Sequence, residues 1–337
     1  MNNTSSGPLT QQPQPYVLRN IWVYGVGGVG GYFGGKIAHA IEQMRLFEKR
    51  VFFIARGRHL EEIQKNGLTL NTSGQGAIVC RPERATDSIE GLPAPDLCLV
   101  CVKSYDLPDV VRALIRRIKD ETVVMPLLNG VDICERIRDI LDKGIVLPAC
   151  VYVGTHIEEP GVVSQKGGDG IILCGADPQR PGFVPGPFIH FFEEVGIRLE
   201  WREDPYKAIW EKYLFIASFG LVTGVSGKTL GGVFADEALR ALVRGIMNEI
   251  VAIARKKGID LAEDAIAVSL ARAGNFPFEA KTSFQRDVET RGVRNEGDLF
   301  GGTIIRLGKA LGVETPITQS VYEAIQVAAL KTLNSKH

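Results

Sequence analysis

The stretch Gly25-Val26-Gly27-Gly28-Val29-Gly30 constrains the fold of this chain more than any other. It follows a short apolar run at residues 21–24 and opens an apolar-periodic segment, so it reads as strand, tight turn and helix. The spacing is G-x-G-x-x-G. Gly25 permits the turn, Gly27 lets the backbone approach a pyrophosphate, and Gly30 lets the helix pack on the strand. Gly28 and Val29 fall in the first helical turn, whose N–H groups and positive dipole end suit phosphate oxygens. In a chain with 38 glycines the pattern alone is weak; its place between strand and helix is what predicts dinucleotide binding. The second strand, at residues 49–55, ends on Arg56, where an NAD-binding chain would carry Asp or Glu for the ribose 2′-hydroxyl. A guanidinium forks onto a 2′-phosphate that a carboxylate would repel, so Arg56 predicts NADP(H).

Apolar runs at 96–102, 122–128 and 145–153, separated by helix-length segments, indicate a parallel sheet covered on both faces. Residues 161–164 and 170–174 read as short strands around a polar turn, an antiparallel hairpin. Four prolines within 176–187 interrupt regular structure. After one more helix and a short strand at 197–201 the pattern becomes almost wholly helical, as at 238–257, closed by Gly258. The expected organisation is a disordered leader at 1–18, a Rossmann-type α/β dinucleotide-binding domain with a parallel sheet at 19–203, and an all-α substrate domain at 204–337. The reactive cleft should lie between the last two.

Composition removes other classes. Lys plus Arg and Asp plus Glu each total 39, and no basic run exceeds three residues, which argues against a nucleic-acid partner. The longest apolar stretches, such as 213–225, fall short of the roughly 18 residues of a membrane span. The first fifteen residues lack the charged and apolar regions of a signal peptide. Six scattered cysteines in a chain too long to need disulfide staples predict free, mostly buried thiols in a reducing cytoplasm. Cys98 and Cys101 fall on opposite faces of one strand, so they are core residues rather than metal ligands or a redox pair. The histidines show no metal spacing, although His156, just beyond an apolar strand, is within reach of the cleft.

With the glycine turn and Arg56, several downstream motifs make the chain resemble the ketopantoate reductase family. They are Cys101-Val102-Lys103, Leu128-Asn129-Gly130-Val131, Ile209-Trp210-Glu211-Lys212, Thr282-Ser283 with Asp287, Asn295-Glu296, Arg306-Leu307-Gly308, Leu311-Gly312-Val313 and Thr315-Pro316. The likeness runs from about Asn20 to Leu330. It implies NADPH-dependent reduction of a 2-oxo acid, 2-dehydropantoate, to pantoate in the pantothenate and coenzyme A pathway.

Ketone reduction needs a hydride at carbon and a proton at the developing alkoxide, and a partly desolvated lysine suits the second task. Lys212 stands in an otherwise apolar helix, a costly place unless that helix borders a polar cleft. The resemblance makes Lys212 the general acid, Glu296 the acceptor of a hydrogen bond from the substrate hydroxyl, and Ser283 a carboxylate-binding residue. It sets Lys103 and Asn129 beside nicotinamide, ribose and substrate, at the strand-end rim where doubly wound sheets bind ligands.

The chain departs from the family pattern where asparagines often stand: Ile216 and Gly220 follow Lys212 on its helix face, and Ala280 precedes Ser283. Thr223, on the same face, could supply one replacement hydroxyl. The segment between Asp287 and Glu296 is also one residue longer than the family's. These losses leave the proton donor in place but loosen substrate specificity, so a reductase of another branched 2-oxo acid is the alternative. A non-catalytic NADPH sensor is a third reading, disfavoured by the joint presence of Lys212, Glu296 and Ser283. The apolar surface of the helices after Asp204 suffices either for one domain core or for a core plus a homodimer face, and a homodimer is the expectation.

Overall fold

The computed structural model of the chain describes residues 18–74, 76–290 and 294–334. The leader expected at 1–18 therefore lies, but for Leu18, outside the described residues.

The chain begins with β1 (Asn20–Tyr24), α1 (Gly28–Gln43), β2 (Arg50–Ile54) and α2 (Gly57–Asn66). The strands β3 (Leu68–Thr72) and β4 (Gly76–Cys80) follow, then β5 (Arg84–Thr86) and β6 (Leu97–Val100). Next come α3 (Leu107–Leu114), β7 (Val123–Pro126), α4 (Ile133–Arg138) and β8 (Ile145–Val146). Six of these strands form one parallel sheet, in the order β5-β2-β1-β6-β7-β8. Its interior strands β6 and β7 are buried throughout, which explains their unbroken apolar composition. The strand order reverses direction at β1, so the loops after β1 and β6 diverge and leave a crevice at the carboxyl edge.

A second sheet was not foreseen. The strands β9 (Ala149–Tyr152), β10 (Thr155–Glu159) and β11 (Val162–Gln165) follow β8, and a four-stranded sheet runs β10-β11-β3-β4. Helix α1 is clamped between this sheet and the large one, and its glycines make the fit. A side chain on Gly34 would come within 2.9 Å of Val23 below, and one on Gly31 within 2.7 Å of Val163 above. The glycine-rich run GVGGYFGG thus serves packing beyond the turn itself.

Two expectations about strands need correction. The antiparallel hairpin joins β10 to β11, not residues 161–164 to 170–174. The latter segment is β12 (Ile171–Gly175), which pairs antiparallel with β9 and parallel with β13 (Leu199–Arg202) in a third sheet. The run at 145–153 is likewise two strands: Pro148 separates β8 of the large sheet from β9, because a proline cannot donate to a ladder. Between β12 and α5 (Gly186–Glu194) the proline-rich loop is irregular, as expected, and is tethered by Asp177. That buried carboxylate pairs with Arg138 and accepts from the Val146 N–H at 2.8 Å.

From α6 (Pro205–Ser226) onward the described residues are helical or irregular: α7 (Leu230–Ala235), α8 (Glu237–Lys256), α9 (Ala265–Arg272), α10 (Ser283–Glu289), α11 (Thr303–Leu311) and α12 (Pro316–Asn334). Asp204 caps α6 by accepting from the N–H groups of Tyr206 and Lys207, Pro205 sits at the first helical position, and Gly227 ends it in the left-handed conformation. Among described helices, α6 alone is long and apolar enough to cross a membrane, yet 67% of its most apolar window is buried. Trp210, Tyr213 and Phe219 of α6 pack with Phe284 and Phe300 in the helical core, each buried phenylalanine contributing about 1.5–3 kcal/mol. Val131, Cys150 and Leu173 from the α/β part join that same core, so the two parts share an apolar seam. All six cysteines are free, and Cys98 and Cys101 pack on opposite sides of the large sheet.

Candidate active site

The glycine turn lies at the carboxyl end of β1. Gly25 has φ of 95°, and a side chain on Gly30 would fall 2.1 Å from the Gly25 carbonyl oxygen. Above Gly27 the space is open, and no side chain caps the first turn of α1, where Gly28 and Val29 sit. Free N–H donors beneath open space fit a dinucleotide diphosphate. Arg56 follows β2 on the neighbouring strand end, with its side chain 80% exposed and its Nη2 2.7 Å from Oδ2 of Asp106.

Lys103 and Asn129 follow β6 and β7, the next two strands along the same edge. Each meets a residue of the helical part. Asn129 Oδ1 accepts a 2.8 Å hydrogen bond from Lys212 Nζ, near the start of α6. Lys212 has no carboxylate partner among the described residues, and its ammonium lies 5.9 Å from the centre of the Tyr152 ring at the end of β9. Desolvation lowers its pKa to about 8; the nearby Arg272 adds to that fall, against an opposing effect of Cys150.

Lys103 turns toward different partners. Its Nζ donates to Asp287 at 2.6 Å and to Glu296 at 3.0 Å, while the other Glu296 oxygen accepts the Ser104 N–H at 3.0 Å. Burial works to lower the Lys103 pKa, but the two carboxylates outweigh it and hold the ammonium charged. Glu296 is thus buried with both oxygens engaged, and no hydrogen bond joins this cluster to Lys212 or Asn129. Ser283 opens α10 with its side chain exposed, one turn before Asp287 and on the same helix face. The structure therefore assembles two neighbouring groups on one rim, Lys212 with Asn129 and Lys103 with Asp287 and Glu296.

A family model described as ketopantoate reductase PanE/ApbA matches residues 21–179, and one described as ketopantoate reductase PanE/ApbA C terminal matches residues 204–329. The chain belongs to the ketopantoate reductase family. A 2-dehydropantoate 2-reductase of Mesorhizobium japonicum is 27% identical over 334 residues, covering 92% of this chain and 98% of the relative. An uncharacterized oxidoreductase of Bacillus subtilis is 27% identical over 309 residues, covering 90% and 97%. Among solved structures, the PanE/ApbA family ketopantoate reductase of Ralstonia eutropha JMP134 matches with a TM-score of 0.83 at 27% identity, covering 93% of this chain and 99% of that one. D-mandelate dehydrogenase, solved with NADH and anilino(oxo)acetate, shares the fold with a TM-score of 0.79 at 19% identity, covering 93% and 99%. The N-terminal part is accordingly the NAD(P)-binding Rossmann domain of an oxidoreductase family.

The departures from the ketopantoate reductase pattern have structural consequences. Ile216 packs at the edge of the helical core, and a side chain on Gly220 would meet only Phe284, at 3.6 Å. Thr223 does not replace the missing asparagines. Its hydroxyl is fully buried, donating to the Gly220 carbonyl and lying 2.9 Å from Thr282 Oγ1, where it ties α6 to α10. Ala280 uses its backbone to hold Pro277 and Leu230. His156 lies opposite Ser164 in the β10–β11 hairpin.

Two residues beside Lys212 escaped the sequence reading. Tyr152 carries the Arg272 guanidinium 5.5 Å from its ring centre as well as the Lys212 ammonium. Both line an open groove of about 640 Å³ bounded also by Asp169, Glu200, Lys207 and Glu211. Tyr152 ends an apolar run, which was a weak signal for a rim position; Arg272 closes an ordinary amphipathic helix and gave none.

Proposed function

We propose that this chain reduces a 2-oxo acid to a 2-hydroxy acid with NADPH, with 2-dehydropantoate as the substrate and Lys212 as the proton donor. The observation that carries this reading is the Lys212–Asn129 hydrogen bond on the rim beside the glycine turn, made by a lysine whose pKa is lowered to about 8. When bound, the nicotinamide would supply the hydride to the carbonyl carbon. Gly25, Gly27, Gly28, Val29 and Gly30 would hold its diphosphate, and Arg56 its 2′-phosphate. Asn129 takes one N–H of the Lys212 ammonium and leaves the others for the ketone oxygen. As the carbonyl carbon gains the hydride and the π electrons move to oxygen, a Lys212 proton would pass to that oxygen and leave the lysine neutral. A lysine with a pKa of about 8 stays mostly protonated at neutral pH yet gives up its proton far more readily than one in water. Lys103, held by Asp287 and Glu296, supplies positive charge at the neighbouring strand end, and Glu296 and Ser283 are the groups for substrate hydroxyl and carboxylate.

The free thiols support a cytoplasmic location, and we place the protein there as a homodimer with no nucleic-acid or membrane partner. A second reading, a reductase of another bulky 2-oxo acid, is favoured by one observation: Ile216, Gly220 and Ala280 offer substrate no polar side chain. The test is reduced-nicotinamide absorbance with 2-dehydropantoate and a panel of 2-oxo acids. Turnover with 2-dehydropantoate at the highest kcat/KM supports the first reading. A higher value for another acid favours the second, and no oxidation with any acid removes both.

A further inference from the structure

Asp106 holds two arginines, one from each part of the protein. Its Oδ2 lies 2.7 Å from Arg56 Nη2, and its Oδ1 lies 3.8 Å from Arg294 Nη1. Arg294 belongs to the helical part, two residues before Glu296, yet its guanidinium lies over the Tyr105 ring at 4.4 Å and donates to the Tyr105 carbonyl at 3.3 Å. Tyr105 and Asp106 form the turn directly after Lys103. Both guanidiniums stay largely open to solvent, 80% for Arg56 and 69% for Arg294, so their donors remain available to a ligand. Stacking on Tyr105 fixes the plane of the Arg294 fork at little further entropic cost.

We propose that Arg294 is a second 2′-phosphate ligand, so that the phosphate-bearing ribose of the cofactor is gripped from both domains. The inference rests on the NADPH reading given above. A phosphate monoester carries more charge and more acceptor oxygens than one carboxylate, and the two guanidiniums that approach Asp106 are both exposed enough to bind it. Asp106 is the competing anion for both guanidiniums: a phosphate dianion, with more charge and acceptors, can draw them away from it, whereas a ribose without the phosphate cannot. Cofactor selection would then be coupled to the contact between domains rather than residing in Arg56 alone.

The test is equilibrium binding of NADPH and NADH, read by nucleotide fluorescence, to the full chain and to Arg56→Ala and Arg294→Ala. Losing one charge-assisted fork should weaken NADPH binding about 10- to 100-fold while leaving NADH within about twofold. Unchanged NADH affinity also shows that each variant is folded. Equal loss of both nucleotides in Arg294→Ala, or loss of neither, overturns the inference. Wild-type protein that binds NADH as tightly as NADPH would instead sink the NADPH reading. A wild-type preference that Arg56→Ala abolishes and Arg294→Ala leaves intact would sink the Arg294 inference alone.

Discussion

Taking an ammonium out of water weakens it as a base, and Lys212 combines that effect with a single neutral acceptor, Asn129, rather than a carboxylate. The result is a lysine able to act as an acid in the neutral range. With Lys212 as the proposed proton donor the acid form is the active one, so kcat/KM for reduction should be flat below a pH of about 8 and fall as pH rises through that value. Arg272 is one cause of the lowered pKa, so Arg272→Leu should move the fall to higher pH; a pH–rate profile checks both. An unmoved limb would mean that Arg272 does not act on Lys212 electrostatically. Of these residues, Lys212 and Asn129 were legible from motifs at strand and helix ends. Tyr152 and Arg272 were not, because what makes them part of the site is that β9 and α9 both pack on α6 and bring the Arg272 guanidinium to the Tyr152 ring, which no local pattern encodes.

Elements in this protein are fixed by close approaches as much as by apolar faces. A methyl on Gly30 would press on a backbone oxygen that has no rotamer to escape into. Gly30→Ala is therefore expected to cost about 1–3 kcal/mol of stability and to weaken cofactor binding, measured by denaturant unfolding and nucleotide fluorescence. Asp177→Ala should cost more, about 3–5 kcal/mol in the same unfolding measurement, since it leaves the buried Arg138 charge and the Val146 N–H unpaired. The parallel sheet, the glycine turn and α6 could be read from period and caps. The four-stranded sheet could not: β11 pairs with β3, Val162 with Thr69, across a long intervening segment. Nor does alternation tell which neighbour a short strand will choose, which is why the hairpin was misplaced.

At the scale of the molecule, charged contacts cross the seam between domains at the site itself. Lys103 joins Asp287 and Glu296, Asn129 meets Lys212, and Asp106 meets Arg294. Domain contact and the proposed catalytic geometry thus involve the same residues; the family motifs announced both partners of the first two contacts and neither partner of the third. Lys103→Met would leave Asp287 and Glu296 facing each other without a counter-charge, and it should lower the unfolding temperature of the whole chain as well as its activity. An unchanged unfolding temperature in a thermal scan would show that this cluster does not hold the domains. The most direct test of the account compares NADPH oxidation by 2-dehydropantoate in wild-type and Lys212→Met protein, with NADPH affinity measured alongside. The account predicts that kcat falls about 10²- to 10⁴-fold while cofactor affinity is retained; turnover by Lys212→Met at the wild-type rate would contradict it.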